Sequence, residues 1–352
     1  MDSARIYFIA ATLCVSTFAG SAVPTAPIPA DPHEPVTGGI RPAATPAERA
    51  VVLSLLERAR QNSKLHMPGT PPYRMVVPFT ASGNVNYVGS GELTETWLTG
   101  QKWRWTAQLG GASVVRISNG FRRIAGNDVA SVPTRVHMLR NAIFWAVRPS
   151  PSSWQLRTAD IQRNGKPATC VLVSQFKMEQ SSTRAWNEEE YCVDKASGLL
   201  VSHSEAPGVY TEYGYAKAVQ FHDQVMPDRI TIYVGGITVL EANFSITDAG
   251  SVDEALLTPT REMLASGPPT TLEMPSRFSI EAPTASAGNS IQPVIVHAQI
   301  DREGNATDVE LCAATSQSLV QSALDLVAKR NFGPSGSQRQ VYVEVTFGPA
   351  QP

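Results

Sequence analysis

Histidine and carboxylate pairs are the residues of this sequence whose types and spacing could do chemistry. His203 stands two positions before Glu205, and His222 stands directly before Asp223. On an alternating strand, His203 and Glu205 share a face, where an imidazole and a carboxylate could bind a metal or move a proton. Strand pairs of this kind are usually solvated surface, so neither pair predicts a catalytic site.

Motifs with a known catalytic mechanism are missing from the sequence. It contains no HExxH, no GxSxG and no CxxC. The acidic run Glu188-Glu-Glu190 lacks the spaced ligands and the glycine of a calcium loop, so we interpret it as a solvated turn. We therefore expect no catalytic activity, no metal and no cofactor. An enzyme of unrecognised mechanism, using His203 or His222, stays as an alternative.

Tryptophans are the more informative aromatic feature. In chain order they are Trp97, Trp103, Trp105, Trp145, Trp154 and Trp186. Large aromatic side chains either fill a core or line a pocket for an apolar ligand. Core packing is the default interpretation. The functional alternative is a hydrophobic ligand site lined by the first four of these tryptophans.

Three cysteines follow the N-terminal apolar segment. Cys170 and Cys192 lie in two β-like segments that a short connection can place side by side. We expect them to form a disulfide in an oxidising compartment, and closing that loop would stabilise the fold by roughly 3 kcal/mol. Cys312 is then left as a buried or unpaired thiol.

The N-terminus has the pattern of an export signal. Arg5 precedes an apolar run over residues 6–18, and small residues follow as far as Ala22. We expect residues 1–22 to be a cleaved signal peptide, which directs the chain from a bacterial cytoplasm to the periplasm. The alternative is an uncleaved inner-membrane anchor over residues 6–23, because about 20 apolar residues span a bilayer.

Composition favours a globular chain and excludes a polyanion-binding one. Of the 352 residues, 42% are hydrophobic and 17% are charged, and the formal net charge is −2. This length predicts about two domains. No polybasic patch occurs, so we expect no nucleic-acid partner.

The chain after the signal begins with a proline-rich leader and a helix. Residues 23–44 hold six prolines and few apolar anchors, which predicts an extended tether. Thr45 can then cap a helix, Pro46 fits its first turn, and Glu48 completes a capping box. Apolar residues continue from there at helical spacing.

Short β-like runs separated by turn signals fill the following region, as far as residue 247. The turn signals include Ser118-Asn-Gly120, Arg163-Asn-Gly165 and Val234-Gly-Gly236. Only residues 133–148 suggest a second, shorter helix. We therefore expect an α+β fold that is mostly β, with an antiparallel sheet curled over the leading helix or around a cavity.

A linker and a small module complete the predicted organisation. Proline, serine, threonine and alanine dominate residues 248–289, which favours an interdomain linker. From residue 290, alternating apolar residues predict a β-hairpin that turns at Asp301-Arg-Glu-Gly304. A helical pattern over residues 319–327 and an alternating strand over 341–347 follow. This order is ββαβ.

Residues 45–247 resemble the LolA-like half-barrel family of periplasmic lipoprotein carriers. The resemblance is carried by Gly91–Trp97, Lys102–Arg104, Tyr191–Asp194, Gly198–Leu200 and Met226–Ile230. It implies a half-barrel sheet around a leading helix and an apolar concavity that binds acyl chains or senses envelope components.

Residues 290–348 resemble the TonB C-terminal domain. The resemblance is carried by Ile300–Gly304, Leu319–Val327, Phe332–Pro334 and Val341–Phe347. That family adds a receptor peptide to an exposed sheet edge, so the resemblance implies docking at residues 340–347, with Tyr342, Glu344 and Thr346 as outward side chains. Arg330 stands where the family usually has Trp, which counts against full transducer function.

Three functions follow from these patterns. The first is a non-enzymatic periplasmic binding protein for a hydrophobic or lipid ligand or an envelope partner, with a TonB-like partner-binding module. The second is a membrane-anchored TonB-type adaptor that binds outer-membrane receptor peptides. The third is the enzyme of unrecognised mechanism.

Overall fold

The structure is a computed structural model. The residues that it describes are 28, 31, 33–36, 38–120, 124–127, 131–148, 153–163, 165–175, 183–283 and 290–348. The expected signal peptide, residues 1–22, and the alternative anchor, residues 6–23, lie outside the described residues. No helix in the described ranges is long and apolar enough to cross a membrane.

Strands dominate the chain up to residue 248. They are β1 (Arg41–Pro42), β2 (Tyr73–Ala81), β3 (Gly89–Thr99), β4 (Lys102–Leu109), β5 (Ala112–Asn119), β6 (Ala125–Gly126), β7 (Gln155–Arg163), β8 (Lys166–Ser174), β9 (Glu189–Asp194), β10 (Leu200–Ala206), β11 (Val209–Gly214), β12 (Val219–Phe221), β13 (Gln224–Met226), β14 (Arg229–Val234), β15 (Ile237–Asn243) and β16 (Ser245–Asp248).

Fourteen of the described strands form one curled antiparallel half-barrel sheet. Their order is β1-β7-β8-β9-β10-β11-β14-β15-β2-β3-β4-β5-β6, with β16 beside β2, while β12 and β13 pair separately. On β2, buried and exposed residues alternate, as expected for a strand with one face toward a core. The buried residues of β2 define the inner face of the sheet. The predicted mostly β half-barrel is therefore present.

Two helices pack against the core on the inner face. The first, α1 (Pro46–Ser63), begins with the predicted capping box, in which Thr45 and Glu48 cap each other's backbone N–H groups. It buries Val52, Leu56 and Ala59. The second, α2 (Thr134–Phe144), is buried over nearly its whole length.

A second sheet follows. Along the chain, a short 3-10 helix, Glu254–Leu257, and α3 (Arg261–Ala265) connect the two sheets. The strands are β17 (Thr271–Leu272), β18 (Ser276–Pro283), β19 (Gln292–Ile300), β20 (Ala306–Ala314) and β21 (Ser337–Gly348), and α4 (Val320–Lys329) precedes β21. In the described residues their order is β17-β21-β19-β20, and β18 pairs in parallel with β21.

The region expected to be a linker contributes two of these strands, β17 and β18. Phe278, Ile280 and Ala282 alternate along β18 and pack against the apolar core of the second sheet. This two-residue period was present in the sequence and explains why the segment is a strand. The expected ββαβ order holds for β19, β20, α4 and β21, to which β17 and β18 are added.

Buried polar contacts join α2 to the second sheet. Arg135 is fully buried and forms an ion pair with Glu310 of β20. The Asn141 side chain donates to Gln340 of β21 over 3.2 Å. On its other side, α2 accepts a hydrogen bond from the Tyr213 hydroxyl at the carbonyl of Ala142. The helix therefore lies between the two sheets and contacts both.

Residues 33–36 of the leader pack on the outer face of the half-barrel, which differs from the expected tether. Val36 is buried in a small cluster with Ala159 and the two cysteines of β8 and β9. His33 stacks on Tyr233, with ring centroids 3.7 Å apart. Val36 supplies an apolar anchor that the proline-rich composition had concealed.

The predicted disulfide is confirmed. Cys170 and Cys192 lie directly opposite each other on β8 and β9 and are bonded. Cys312 on β20 is a free, buried thiol. Burial raises the pKa of Cys312 well above its usual value, so the thiol stays protonated.

Candidate functional site

The four tryptophans proposed as ligand contacts have different surroundings. Trp97 and Trp105 are buried in the half-barrel core, and Trp103 packs against it. Trp145 follows α2, and 47% of its surface is exposed. Trp97 stands opposite Trp103 in the β3–β4 ladder, so these two are neighbours.

The interior of the half-barrel near α2 is filled. A space lined by residues of α2, β10, β11 and β14, including Ala142, Ile143 and Tyr213, encloses only about 10 Å³. That volume is about the size of one water molecule. The core at this place therefore has no room for an acyl chain, because side chains of α2 occupy it.

An open groove lies beside Trp97. Residues 66–70, which follow α1, form one wall, and residues 97–100, at the end of β3, form the other. We call it the β3–β4 groove. It encloses about 450 Å³, and its apolar lining includes Met67, Pro68, Trp97 and Leu98. The groove is of ligand-binding size, since small-molecule sites usually measure about 300–1,000 Å³.

A buried carboxylate lies directly behind the groove. Glu95 points to the inner face of β3, where His66 Nε2 lies 2.5 Å from its Oε1 and Arg140 Nη1 lies 3.4 Å from its Oε2. We call these three residues the groove cluster. Burial raises the pKa of Glu95, but His66 and Arg140 outweigh it and hold that pKa below its usual value. Glu95 is therefore a carboxylate at neutral pH.

The His66 ring is fixed on both faces. It stacks on Trp97 at 4.2 Å and on Phe144 at 4.0 Å between ring centroids. Its backbone φ is +60°, a left-handed conformation that few non-glycine residues adopt. Arg140 lies over Trp105 and Phe144, which adds cation–π contacts to the same packing.

A second charged cluster lies where the half-barrel meets the second sheet. Arg148 contacts Glu189 over 2.8 Å and also pairs with Glu205. The Tyr342 hydroxyl of β21 donates to Glu205 over 2.5 Å, and Arg277 of β18 lies 3.5 Å from Glu189. We call these five residues the interface cluster. Burial opposes ionisation, but Arg148 and then Arg277 lower the pKa of Glu189 to about 2.

Burial around the interface cluster overturns two interpretations of the sequence. Glu188, Glu189 and Glu190 are all less than a tenth exposed, so the acidic run is not a solvated turn. Arginines that are distant in sequence neutralise it, as in the ion pair of Arg157 with Glu188. His203 is also buried, and it stacks on Tyr191.

The histidines considered for catalysis do not share a site. Burial lowers the pKa of His203 to about 4, so the ring is neutral inside the core. His222 is partly exposed and contacts Asp248 over 2.6 Å, rather than its neighbour Asp223. The expectation that the protein is not an enzyme stays a prediction.

The strand expected to be an open docking edge is paired on both sides. β21 pairs antiparallel with β19 and parallel with β18. Tyr342 is buried in the interface cluster, and burial raises the pKa of Glu344 to about 7. Thr346 donates from its hydroxyl to the carbonyl of Ile280 on β18. These side chains therefore do not project from a free edge, because β18 already occupies that place.

A further groove on the half-barrel is polar. It encloses about 520 Å³ and is lined by residues that include Lys166, Asp194 and Tyr233. Arg163 and Glu212, also in its lining, form an ion pair. This mixture of opposite charges and tyrosines gives the groove no preference for an apolar ligand.

Comparison with known proteins gives distant structural likenesses. No family model matches the chain, and no curated protein matches it. The solved structure of a LolA superfamily protein, NE2245 from Nitrosomonas europaea, is 8% identical, covers 58% of this chain and 96% of its own, and has a TM-score of 0.34. A putative outer membrane lipoprotein-sorting protein domain from Vibrio parahaemolyticus is 9% identical, covers 61% and 97%, and has a TM-score of 0.35. Similarity at these TM-scores assigns neither a function nor a binding residue to this chain.

Proposed function

We propose that this protein is a non-enzymatic binding protein of the bacterial cell envelope that holds an apolar or acyl ligand in the β3–β4 groove. The observation that carries the proposal is an open groove of about 450 Å³ with tryptophan, methionine, proline and leucine in its walls. An exposed apolar concavity of this size is typical of a ligand site.

The groove is better suited to a ligand than the interior of the half-barrel. Trp97 is 5% exposed and stacks on His66, so its indole gives the groove a small, rigid apolar part of the wall. Met67 is 37% exposed, and its flexible side chain can adapt to ligands of different shape. A rigid wall opposite an adaptable one would bind alkyl chains with little loss of side-chain entropy.

The disulfide supports an envelope location. Cys170 and Cys192 are bonded across adjacent strands, and stable disulfides are typical of oxidising compartments such as the bacterial periplasm. Cleavage of residues 1–22 belongs to the same proposal, as does the alternative of a retained anchor over residues 6–23. N-terminal sequencing of the protein recovered from the periplasm would separate the two.

Binding of N-phenyl-1-naphthylamine, an apolar dye that fluoresces in apolar sites, tests the proposed groove. We expect the wild type to bind the dye and Leu98→Glu to weaken that binding at least about tenfold, because a carboxylate would have to be desolvated in the groove. Ile237→Glu is the matched control, since Ile237 is a 59% exposed apolar residue outside the groove. Equal binding by both variants would contradict the proposal.

A second candidate function is capture of an extended peptide by the second sheet. It is favoured by the position of β18, which pairs in parallel with β21 and has no partner on its other side among the described strands. A peptide could replace β18 on β21 or add to the outer side of β18. In the first case β18 would regulate peptide binding by the TonB-like module. In the second case β18 would be its docking edge.

A labelled peptide with the sequence of residues 276–283 tests that candidate. Exchange of β18 predicts that the peptide binds the wild type. It also predicts no binding to a Ser279→Cys/Glu344→Cys variant, in which a disulfide would tie directly opposite residues of β18 and β21. Binding that survives in the cross-linked form would indicate addition to the outer side of β18. Absence of binding to the wild type would remove the peptide-capture candidate.

A further inference from the structure

We infer that His66 selects the ligand of the β3–β4 groove by accepting a hydrogen bond at Nδ1, so that the preferred ligands are uncharged amphiphiles with a hydroxyl head group. This inference rests on the proposed function of the groove. It adds the chemical class of the ligand and the residue that recognises it.

The orientation of the ring follows from its contacts. Both faces of the His66 imidazole are covered by Trp97 and Phe144, and Nε2 points to the buried carboxylate of Glu95. The side chain is nevertheless 26% exposed. Nδ1 has no hydrogen-bond partner among the described residues and is not one of the buried unpartnered atoms, so it belongs to the exposed part of the ring. His66 belongs to the groove lining, so this part faces the ligand space.

The hydrogen-bonding role of Nδ1 follows from the partner of Nε2. A carboxylate can only accept hydrogen bonds, so Nε2 must carry the hydrogen that lies between His66 and Glu95. In the neutral ring, Nδ1 then has a free lone pair and acts as an acceptor. Among the described residues, no group donates a hydrogen bond to Nδ1. A ligand hydroxyl can fill that place.

The charge of the groove argues against an anionic head group. The nine described residues that line it include no lysine, arginine, aspartate or glutamate. Arg140 lies behind the wall and is already paired with Glu95. A carboxylate or phosphate entering the groove would therefore lose hydration without gaining a cation, whereas a hydroxyl would lose little and gain an acceptor.

The backbone of His66 is held in a left-handed conformation by the contacts of its ring. Left-handed φ values cost free energy for residues other than glycine, and they persist where surrounding contacts impose them. His66 keeps φ at +60°, and its ring contacts explain how the conformation is maintained. Glycine would adopt this φ without strain but would remove the stacked ring and the acceptor.

Competition against N-phenyl-1-naphthylamine at pH 8 tests the inference with three ligands of matched length: 1-decanol, decyl methyl ether and decanoate. We expect the wild type to bind 1-decanol about fivefold more tightly than the ether, which has the same chain but no hydrogen to donate. Decanoate should bind more weakly than 1-decanol. His66→Phe keeps an aromatic ring between Trp97 and Phe144, and it should bind decanol and ether equally.

His222→Phe is the matched control for the His66 variant. His222 also has a left-handed backbone, with φ of 53°, and its Nε2 also contacts a carboxylate, that of Asp248, but it does not line the β3–β4 groove. This variant should keep the wild-type preference for 1-decanol. Equal binding of decanol and ether by the wild type would overturn the inference and leave the proposed apolar groove intact. Failure of all ligands and the dye to bind would instead remove the proposed function.

A measurement on the wild type covers the case in which His66→Phe does not fold. In ¹⁵N NMR spectra of the protein, the His66 ring should show a protonated Nε2 and an unprotonated Nδ1 at pH 8. Adding 1-decanol should shift the Nδ1 resonance in the direction of hydrogen-bond acceptance, and adding decyl methyl ether should not. A protonated Nδ1, or a resonance that decanol leaves unchanged, would overturn the inference.

Discussion

The groove cluster and the interface cluster contain the same kinds of groups and use them differently. Each has a buried glutamate, an arginine and aromatic rings. In the interface cluster, both oxygens of Glu189 and both oxygens of Glu205 accept contacts from Arg148, Arg277, Tyr191 or Tyr342. In the groove cluster, Nδ1 of His66 has no partner among the described residues, and His66 lines an open groove.

This difference separates a structural role from a binding role. The interface cluster takes residues from both sheets, since Tyr342 and Arg277 lie on β21 and β18. All four carboxylate oxygens of its glutamates have partners inside the protein, although Nε of Arg148 and Nε of Arg277 are buried without one. These contacts fix the second sheet on the half-barrel. The groove cluster takes all its residues from the half-barrel region and borders an open groove. A buried charge by itself therefore does not identify a binding site, and the feature that distinguishes the groove cluster is an unpartnered polar atom on the wall of an open groove.

The largest effect is expected from breaking the interface cluster with Arg148→Met. It would leave Glu189 and Glu205 buried without their main cation, which typically costs about 3–5 kcal/mol of unfolding free energy. Urea denaturation followed by circular dichroism measures the loss. The control is Arg229→Met, whose ion pair with Glu241 is more than half exposed on both sides and should contribute less than about 1 kcal/mol. Similar losses in the two variants would refute the structural role of the interface cluster.

Removal of the disulfide should come next in size. Cys170→Ala with Cys192→Ala opens a loop with a sequence separation of 22 residues, for which loop-closure entropy predicts a loss of about 3 kcal/mol. Because the bond lies on the outer face, the dye should still bind the folded variant in the β3–β4 groove. The variant could instead lose dye binding without denaturant while its far-UV circular dichroism spectrum is preserved. That result would show that the disulfide and the β3–β4 groove are not independent.

A smaller, pH-dependent effect is expected from His203, which stacks on Tyr191 next to the interface cluster. Burial lowers the pKa of His203 to about 4, whereas an unfolded histidine titrates near 6.5. Between these values the unfolded state binds more protons, so the unfolding free energy must fall as the pH falls. From pH 7 to pH 5 the histidine should account for about 2 kcal/mol of this fall.

His203→Phe isolates the contribution of this histidine. The variant keeps an aromatic ring opposite Tyr191 but cannot take up a proton. Other titrating groups, such as Glu190 and Glu344, act equally in both proteins and cancel in the difference. Denaturation curves of the two proteins at pH 7, 6 and 5 should therefore diverge, with the wild type losing more stability. Parallel curves would show that His203 is not kept neutral by burial.

Local patterns made much of the fold predictable from the sequence. The capping box of Thr45 and Glu48, the alternation of β19 and the disulfide all depend on residues that are close in sequence or in adjacent strands. The alternation of β18 was equally local, and the serine, threonine and proline content of its surroundings concealed it. For such elements the sequence contains the whole signal.

The two clusters could not be predicted, because their charges meet over long separations. Glu188-Glu-Glu190 looks solvated until Arg157 and Arg148 are brought to it by the curl of the sheet. His66 meets Glu95 across 29 positions and Arg140 meets Glu95 across 45. Neither spacing resembles a motif. The left-handed backbone and the stacked ring that mark His66 are visible only in the structure.

The smallest effect is expected from the replacement of Trp145, an aromatic residue outside the β3–β4 groove. Trp145 was one of the four tryptophans proposed as ligand contacts, but it follows α2, is 47% exposed and, like Trp103 and Trp105, does not line the β3–β4 groove. Trp145→Ser should therefore leave dye affinity within about twofold of the wild type and change the unfolding free energy by about 0.5 kcal/mol. Trp97→Ser, by contrast, removes a wall of the groove and the ring that stacks on His66, so dye binding should be lost. A strong effect of Trp145→Ser on binding, measured by the same dye titration, would extend the ligand site to the end of α2 and weaken the distinction between the groove cluster and its surroundings.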